Sequence, residues 1–311
     1  MTPGTNHALV LTGAPGAATL DAATMETVRL LLTGREVIRE RWLAPGDAWE
    51  ARLIAEPGAD VVPLKHRIAE ALAALPIDVN LVPDEGEHRR KHLLVADMES
   101  TIIEQECLDE LADYIGLRPQ IAAITERAMR GELEFEAAIK ERVGLLKGLH
   151  AGVLDDLYTM RVTLMPGAQT LIATMRANGA YCALVSGGFH FFTEKIAARV
   201  GFDSEQANRL DIADGRIAGT VAQPILGREA KLTAMERLTR ERGLTPADTL
   251  AVGDGANDLS MIAAAGLGVA YRAKPKVAAA AAASVKHGDL TALLYLQGYH
   301  WDEFAPAVIP A

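Results

Sequence analysis

Asp97 ends the apolar run Leu93-Leu-Val-Ala, and a second carboxylate, Glu99, and two hydroxyls, Ser100 and Thr101, follow it. A buried strand that stops this way delivers both acids to its C-terminal tip, where open α/β sheets place their ligands. An aspartate can attack phosphorus as a covalent nucleophile, and an acid two residues on can move protons for it. Taken singly, Asp97 reads equally well as a cap on the next helix. Three further segments carry matching chemistry. Val185-Ser186-Gly187-Gly188 closes another strand-like run with a hydroxyl and bare backbone N–H groups suited to phosphate oxygens. Lys231 is a compact cation on a helical stretch, which by itself reads as solvated surface. Gly253-Asp254-Gly255-Ala256-Asn257-Asp258 follows the run Leu250-Ala-Val and sets two acids four residues apart on a tight turn, an oxygen donor set that suits Mg²⁺.

Such tips need a parallel sheet to hold them. From residue 92 onward, strand-like runs at Leu93–Ala96, Tyr181–Val185, Leu250–Gly253 and Leu267–Ala270 alternate with helical patterns. This alternation predicts an α/β, Rossmann-like doubly wound sheet. About 80 residues separate the first two strands, far more than a crossover needs, so roughly 104–164 reads as a helical cap inserted over the sheet. Residues 209–226 read as a hairpin turning at Asp214-Gly215. The first 85 residues follow a different order, β-α-β-β-α-β, which is that of a ferredoxin-like (α+β) module. Asp84 to Lys91 reads as a polar linker, which divides the chain into 1–85 and 86–311. The aromatic stretch Tyr295–Phe304 is expected to anchor the chain end, with Trp301 and Phe304 buried.

Composition narrows the function classes. With a net charge of -10 and 23% charged residues, the chain does not present the basic surface that nucleic acid requires. No apolar run is long enough to span a membrane, and the N-terminus has no signal-peptide pattern. The two cysteines, Cys107 and Cys182, sit in apolar patterns and are expected as free core residues of a cytoplasmic protein.

In order and chemistry, the four segments resemble the haloacid dehalogenase superfamily of phosphohydrolases and, within it, the phosphoserine phosphatases. Glu106-Cys-Leu-Asp-Glu-Leu-Ala112, Thr125–Glu132, Arg142–Gly148, Leu164-Met-Pro-Gly167, Ala207-Asn-Arg-Leu210 and Ala273-Lys-Pro275 fit that pattern too, so the resemblance covers roughly 92–298. It implies Mg²⁺-dependent hydrolysis of O-phospho-L-serine, the last step of serine biosynthesis, through an aspartyl-phosphate on Asp97. Ser186, Gly187 and Lys231 would hold the transferring oxygens, with Asn257 beside them. Asp97, Asp254, Asp258 and the backbone carbonyl of Glu99 would hold the metal. Glu106 would meet the substrate ammonium and Arg142 its carboxylate, with Met129 and Phe135 as an apolar lid. The N-terminal module is similar in size and topology to regulatory-type domains, which suggests a homodimer or a regulatory amino acid.

The pattern breaks at Glu99, where the family has aspartate. The longer arm moves an acid/base carboxyl by about a bond length, and a misplacement of about 1 Å can cost around 10²-fold in rate. Slower turnover is therefore expected. Two alternatives stay open: a relative acting on another small phosphomonoester or transferring its phosphoryl group, and an amino-acid-binding protein disabled at Glu99.

Overall fold

The computed structural model describes residues 5–55, 61–84, 86–129, 132–227 and 229–306. Its first part runs β1 (Thr5–Gly13), α1 (Ala22–Leu32), β2 (Glu36–Ala44), β3 (Ala48–Ala55), α2 (Val62–Ala71) and β4 (Ile77–Pro83). The strands form an antiparallel sheet in the order β2-β3-β1-β4, the ferredoxin-like arrangement expected from the sequence. Asp21 opens α1 by accepting the Thr24 N–H at 2.8 Å. Period-two alternation splits β1 cleanly between two faces. Leu9 and Leu11 join Val28, Leu64 and Ile68 of the two helices, whereas Ala8 and Val10 join the core of the rest of the chain.

The second part contains β5 (Leu93–Ala96), α3 (Cys107–Tyr114), α4 (Arg118–Met129), α5 (Phe135–Gly144), α6 (Val153–Arg161), α7 (Ala168–Ala177), β6 (Tyr181–Phe189) and α8 (His190–Val200). It continues through β7 (Ser204–Asn208), β8 (Leu210–Ala213), β9 (Arg216–Val221), α9 (Ala230–Glu241), β10 (Thr249–Gly253) and α10 (Leu259–Ala264). It ends with β11 (Leu267–Tyr271), α11 (Pro275–Ala280), β12 (Ala283–Val285) and α12 (Ala292–Leu296). Six strands form a parallel sheet ordered β12-β11-β10-β5-β6-β7. Central β5 is apolar at every position because both faces are covered: Leu94 and Ala96 enter one core, Leu93 and Val95 the other.

Helices α3 to α6 form the inserted cap. Its two connections to the sheet pair with each other, Glu104 N–H donating to Thr163 C=O and Met165 N–H to Ile102 C=O. The β8–β9 hairpin, expected from the sequence but not assigned a place, joins the cap. Gly148 N–H donates to Ile217 C=O, and Ile217 N–H to Leu149 C=O. No helix among the described residues is long and apolar enough to cross a membrane.

Three sequence expectations are corrected. The 84–91 stretch is only partly solvated: Asp84, Arg89 and Lys91 are buried, whereas Glu87 and His88 are exposed. Arg89 pairs with Glu50, and Lys91 donates to the carbonyls of His88 and Ala247. Charged groups with enough partners can be interred, which polarity alone does not reveal. Trp301 is 52% exposed, and Tyr295 and Tyr299 are the buried aromatics of the stretch. Strand β6 also continues through Ser186-Gly187-Gly188 to Phe189 and does not stop at Val185.

The junction holds a pH-sensitive contact. Asp248 accepts from the Thr245 N–H and hydroxyl at 2.8 and 2.7 Å and lies 2.7 Å from His88 Nδ1. Burial raises its pKa, but Thr245 and His88 outweigh this and lower it from 3.8 to about 2. A depressed acid stabilises the fold above its unfolded value, and that stability disappears as pH falls through the folded value. The wild type should therefore lose melting temperature between about pH 4 and 2 more steeply than Asp248→Asn. Parallel acid-melt slopes would refute this.

Candidate active site

Sheet register brings the candidate residues together. Ala96 pairs with Val252 of β10 on one side and Leu184 of β6 on the other, so Asp97, Asp254 and Ser186 all emerge just past the same row. Asp97 N–H donates to Val252 C=O at 3.0 Å, and its Oδ1 accepts the Met98 N–H at 2.7 Å. The chain then turns sharply through Ser100, whose φ of 54° lies in a region costly for a side-chain-bearing residue. Past that turn, Met98 C=O accepts from both Ile102 and Ile103.

Lys231, at the start of α9, is buried and not solvated, because its ammonium is the hub of the acids. Its Nζ lies 2.7 Å from Asp97 Oδ1 and 2.5 Å from Asp258 Oδ1. Asp258 is fixed in turn: its Oδ2 accepts the Gly255 N–H at 3.0 Å. Gly253 must lack a side chain here, since a Cβ would sit 2.3 Å from Asp258 Cγ. Asp97, Asp254 and Asp258 present oxygens within 4.8 Å of one another. Burial, reinforced by the charges of Asp258 and Asp254, pushes the Asp97 carboxyl well above its usual range, and Lys231 only partly opposes this. Burial and Asp258 raise Asp254 to about 6. Burial alone would lower Lys231, but Asp97 and Asp258 outweigh it and hold the ammonium protonated. The raised carboxyl pKa values reflect negative charge that one ammonium does not offset, so this all-oxygen set fits a divalent cation.

Glu99 points elsewhere. Its Oε1 accepts the Cys107 N–H at 2.8 Å, at the first turn of α3, and Oε2 lies 3.0 Å from where a Gly188 Cβ would be. The longer arm thus spans from the sheet tip to the cap, into space left open by a glycine. Burial and the neighbouring Glu106 raise its carboxyl to about 7. Its side chain is not among the clustered metal-type ligands. Glu106 accepts the Ser100 hydroxyl at 2.8 Å. Arg142, on α5, has its pKa lowered by burial, although Asp109, Glu99 and Glu106 oppose the shift. Phe135, Ser186, Gly187, Gly227, Ala230, Lys231 and Asn257 line a small cavity of about 20 Å³ under the cap. Met129 ends α4, and its side chain lies outside the described residues.

One positioning residue had been assigned no role from the sequence. Asn208 is buried at the end of β7; its Nδ2 donates to Gly187 C=O at 2.8 Å, and its Oδ1 accepts the Leu226 N–H at 2.7 Å. It fastens the Ser186-Gly187 strand to the loop that leads to Lys231. A buried amide meeting backbone groups on two segments has no one-dimensional signature.

Residues 94–263, more than half of the chain, match the family of haloacid dehalogenase-like hydrolases. The phosphoserine phosphatase SerB2 of Mycobacterium tuberculosis is 39% identical over 293 residues, covering 94% of this chain and 71% of that protein. A phosphoserine phosphatase of Streptomyces coelicolor is 42% identical over 254 residues, 81% of this chain and 62% of that one. An unliganded structure described as a probable phosphoserine phosphatase of Vibrio cholerae superposes with a TM-score of 0.77 at 30% identity, covering 96% of this chain and 88% of the other. On the family match over residues 94–263 and these identities, this chain belongs to the haloacid dehalogenase-like hydrolases.

Proposed function

We propose that this chain hydrolyses O-phospho-L-serine to L-serine and phosphate. The observation that carries the reading is the buried Asp97–Lys231–Asp258 cluster opening onto the Ser186-Gly187 strand. Asp97 Oδ attacks phosphorus, forming an aspartyl-phosphate as the bond from phosphorus to the serine oxygen breaks. Glu99 gives its proton to that departing oxygen. It then takes one from the water that attacks phosphorus and releases Asp97, so the acid returns to its starting state. Lys231, the Ser186 hydroxyl and the Gly187 N–H neutralise the phosphoryl oxygens, which repel the incoming carboxylate. Asp97, Asp254, Asp258 and the Glu99 carbonyl would hold Mg²⁺, which supplies positive charge beside the dianion. At the other end of the substrate, Glu106 receives the ammonium and Arg142 the carboxylate, a pairing that selects an amino acid. Phe135 and Met129 cover the site.

Phosphate release from O-phospho-L-serine, with Mg²⁺ and with excess chelator, tests the reading. Metal-dependent release is expected, together with a hydroxylamine-labile phosphoprotein in single-turnover samples. Neither product would overturn it. Product analysis with an added alcohol separates hydrolysis from transfer to an acceptor.

The reach of Glu99 supports its use as the acid. Because Cys107 N–H and the Gly188 gap receive the longer arm, shortening it withdraws the carboxyl from its anchor. In this reading the Cys107 N–H anchor reverses the slower turnover expected of the longer arm from the sequence: Glu99→Asp should lower kcat by about 10- to 100-fold. An unchanged or faster turnover would show that the extra methylene has no function.

Residues 1–85 form the regulatory-type module in this reading, and the outer edge of β2, which no strand among the described residues pairs and where Ile38 is exposed, suits edge-to-edge pairing into a homodimer. A single-chain mass by light scattering would exclude that assembly. Two buried, unpaired cysteines suit the reducing cytoplasm.

A further inference from the structure

A second cavity, which shares no lining residue with the one under the cap, lies where the antiparallel sheet meets the segment entering β5. It measures about 290 Å³, the size of a small-metabolite pocket, and is lined by Arg41, Arg52, Arg89 and Arg90 with Glu87 and Gly298. Four guanidiniums around one space are unexpected in a protein of net charge -10.

Their pairing leaves donors over. Arg41 donates to Glu50 at 2.9 Å and to Gly298 C=O at 2.9 Å. Arg52 lies 2.8 Å from Asp84, and Arg89 pairs with Glu50. Three guanidiniums thus share two buried carboxylates. Arg90 is already matched by Glu303 at 2.7 and 2.9 Å and lies over the Tyr299 ring, while Glu87 sits exposed at the rim. Arg89 is only 5% exposed, yet among the described residues its Nε has no hydrogen-bond acceptor; its Nη1 reaches Asp84 only at 3.5 Å, and Arg52 Nε faces Asp84 Oδ2 at 2.8 Å without hydrogen-bond geometry. A buried guanidinium with idle N–H groups costs stability unless something accepts from it. A carboxylate or phosphate matches that fork in both charge and geometry.

We infer that this cavity is a binding site for a small oxyanion, a carboxylate or phosphate group of a metabolite, distinct from the catalytic site. The occupant would bridge β2 and β3 to residues 86–90, which lead directly into the strand that ends at Asp97. Binding would therefore fasten the N-terminal sheet to the segment that positions the nucleophile.

The protein carries its own reporter. All three tryptophans are outside the catalytic site: Trp42 follows Arg41, Trp49 precedes Glu50, and Trp301 lies two residues from Glu303. Titrating sodium phosphate, and separately L-serine, into the full chain should give a saturable change in tryptophan fluorescence with at least one of them. Response to phosphate alone identifies a phosphate group as the ligand, and response to L-serine alone a carboxylate. The change should persist in Ser186→Ala for phosphate and in Arg142→Gln for L-serine, which alter the catalytic site, and its half-saturation should rise at least tenfold in Arg52→Gln and in Arg41→Gln. Circular dichroism of the two arginine variants confirms that they fold. Absence of any saturable response up to 10-fold above physiological anion levels, or equal half-saturation in the folded variants, would overturn the inference.

Discussion

Asp97→Asn should abolish phosphate release, lowering kcat by at least about 10⁴-fold, while the protein melts no lower than the wild type at neutral pH in chelator. The amide oxygen can still accept from Met98 N–H and stay beside the Lys231 ammonium, so the local hydrogen bonds survive. What is lost is the proposed nucleophile and a buried negative charge. Asp97 is an acid whose folded pKa lies well above its ordinary value, so its ionisation opposes folding once the pH exceeds the unfolded value. Removing that charge removes the cost, the usual exchange of stability for activity at a strained site. Paired kinetics and thermal melts check both halves. Residual turnover within 100-fold of wild type would displace Asp97 as the nucleophile, and a large drop in melting temperature would show that its charge is needed for packing.

Lys231→Met should have the opposite effect on stability. The methionine fills a similar volume but leaves Asp97 and Asp258 buried without the cation that sits 2.7 and 2.5 Å away from them. Breaking a buried ion pair from one side costs about 3–5 kcal/mol, much of it from the charge left unpaired. Loss of phosphoryl-oxygen neutralisation should cost a further factor of about 10²–10³ in kcat. Because the clustered acids suit a divalent ion, Mg²⁺ should raise the variant's melting temperature more than the wild type's. Equal stability of variant and wild type in chelator would mean that the acids are neutral when the lysine is absent.

These two residues illustrate how differently the sequence speaks about each. Asp97 was legible because its meaning is local: four apolar residues, then an acid, describe a strand and its tip without reference to anything distant. The same holds for Gly253-Asp254-Gly255, for the β-α-β-β-α-β order of the first 85 residues, and for the inserted helices. Period-two and helical patterns reflect burial on one face, and burial is decided largely within each element. Lys231 by contrast reads as an ordinary surface lysine on a helix until the fold places β5 and β10 beside α9.

Residue types, local periodicity and turn chemistry therefore determined the elements, their order and the acids at the strand tips. Resemblance of those motifs to a family linked them to phosphate chemistry. Tertiary structure alone decided the rest. It buried Asp84, Arg89 and Lys91 of the polar stretch, set His88 against Asp248, recruited the β8–β9 hairpin into the cap, used Asn208 as a clasp, and exposed Trp301. It also gathered Arg41, Arg52, Arg89 and Arg90 from three separate segments around one cavity. Each of these depends on partners tens to hundreds of residues apart in sequence. A charge is stable inside a protein only through such partners, and a sequence states the charge but not the neighbour.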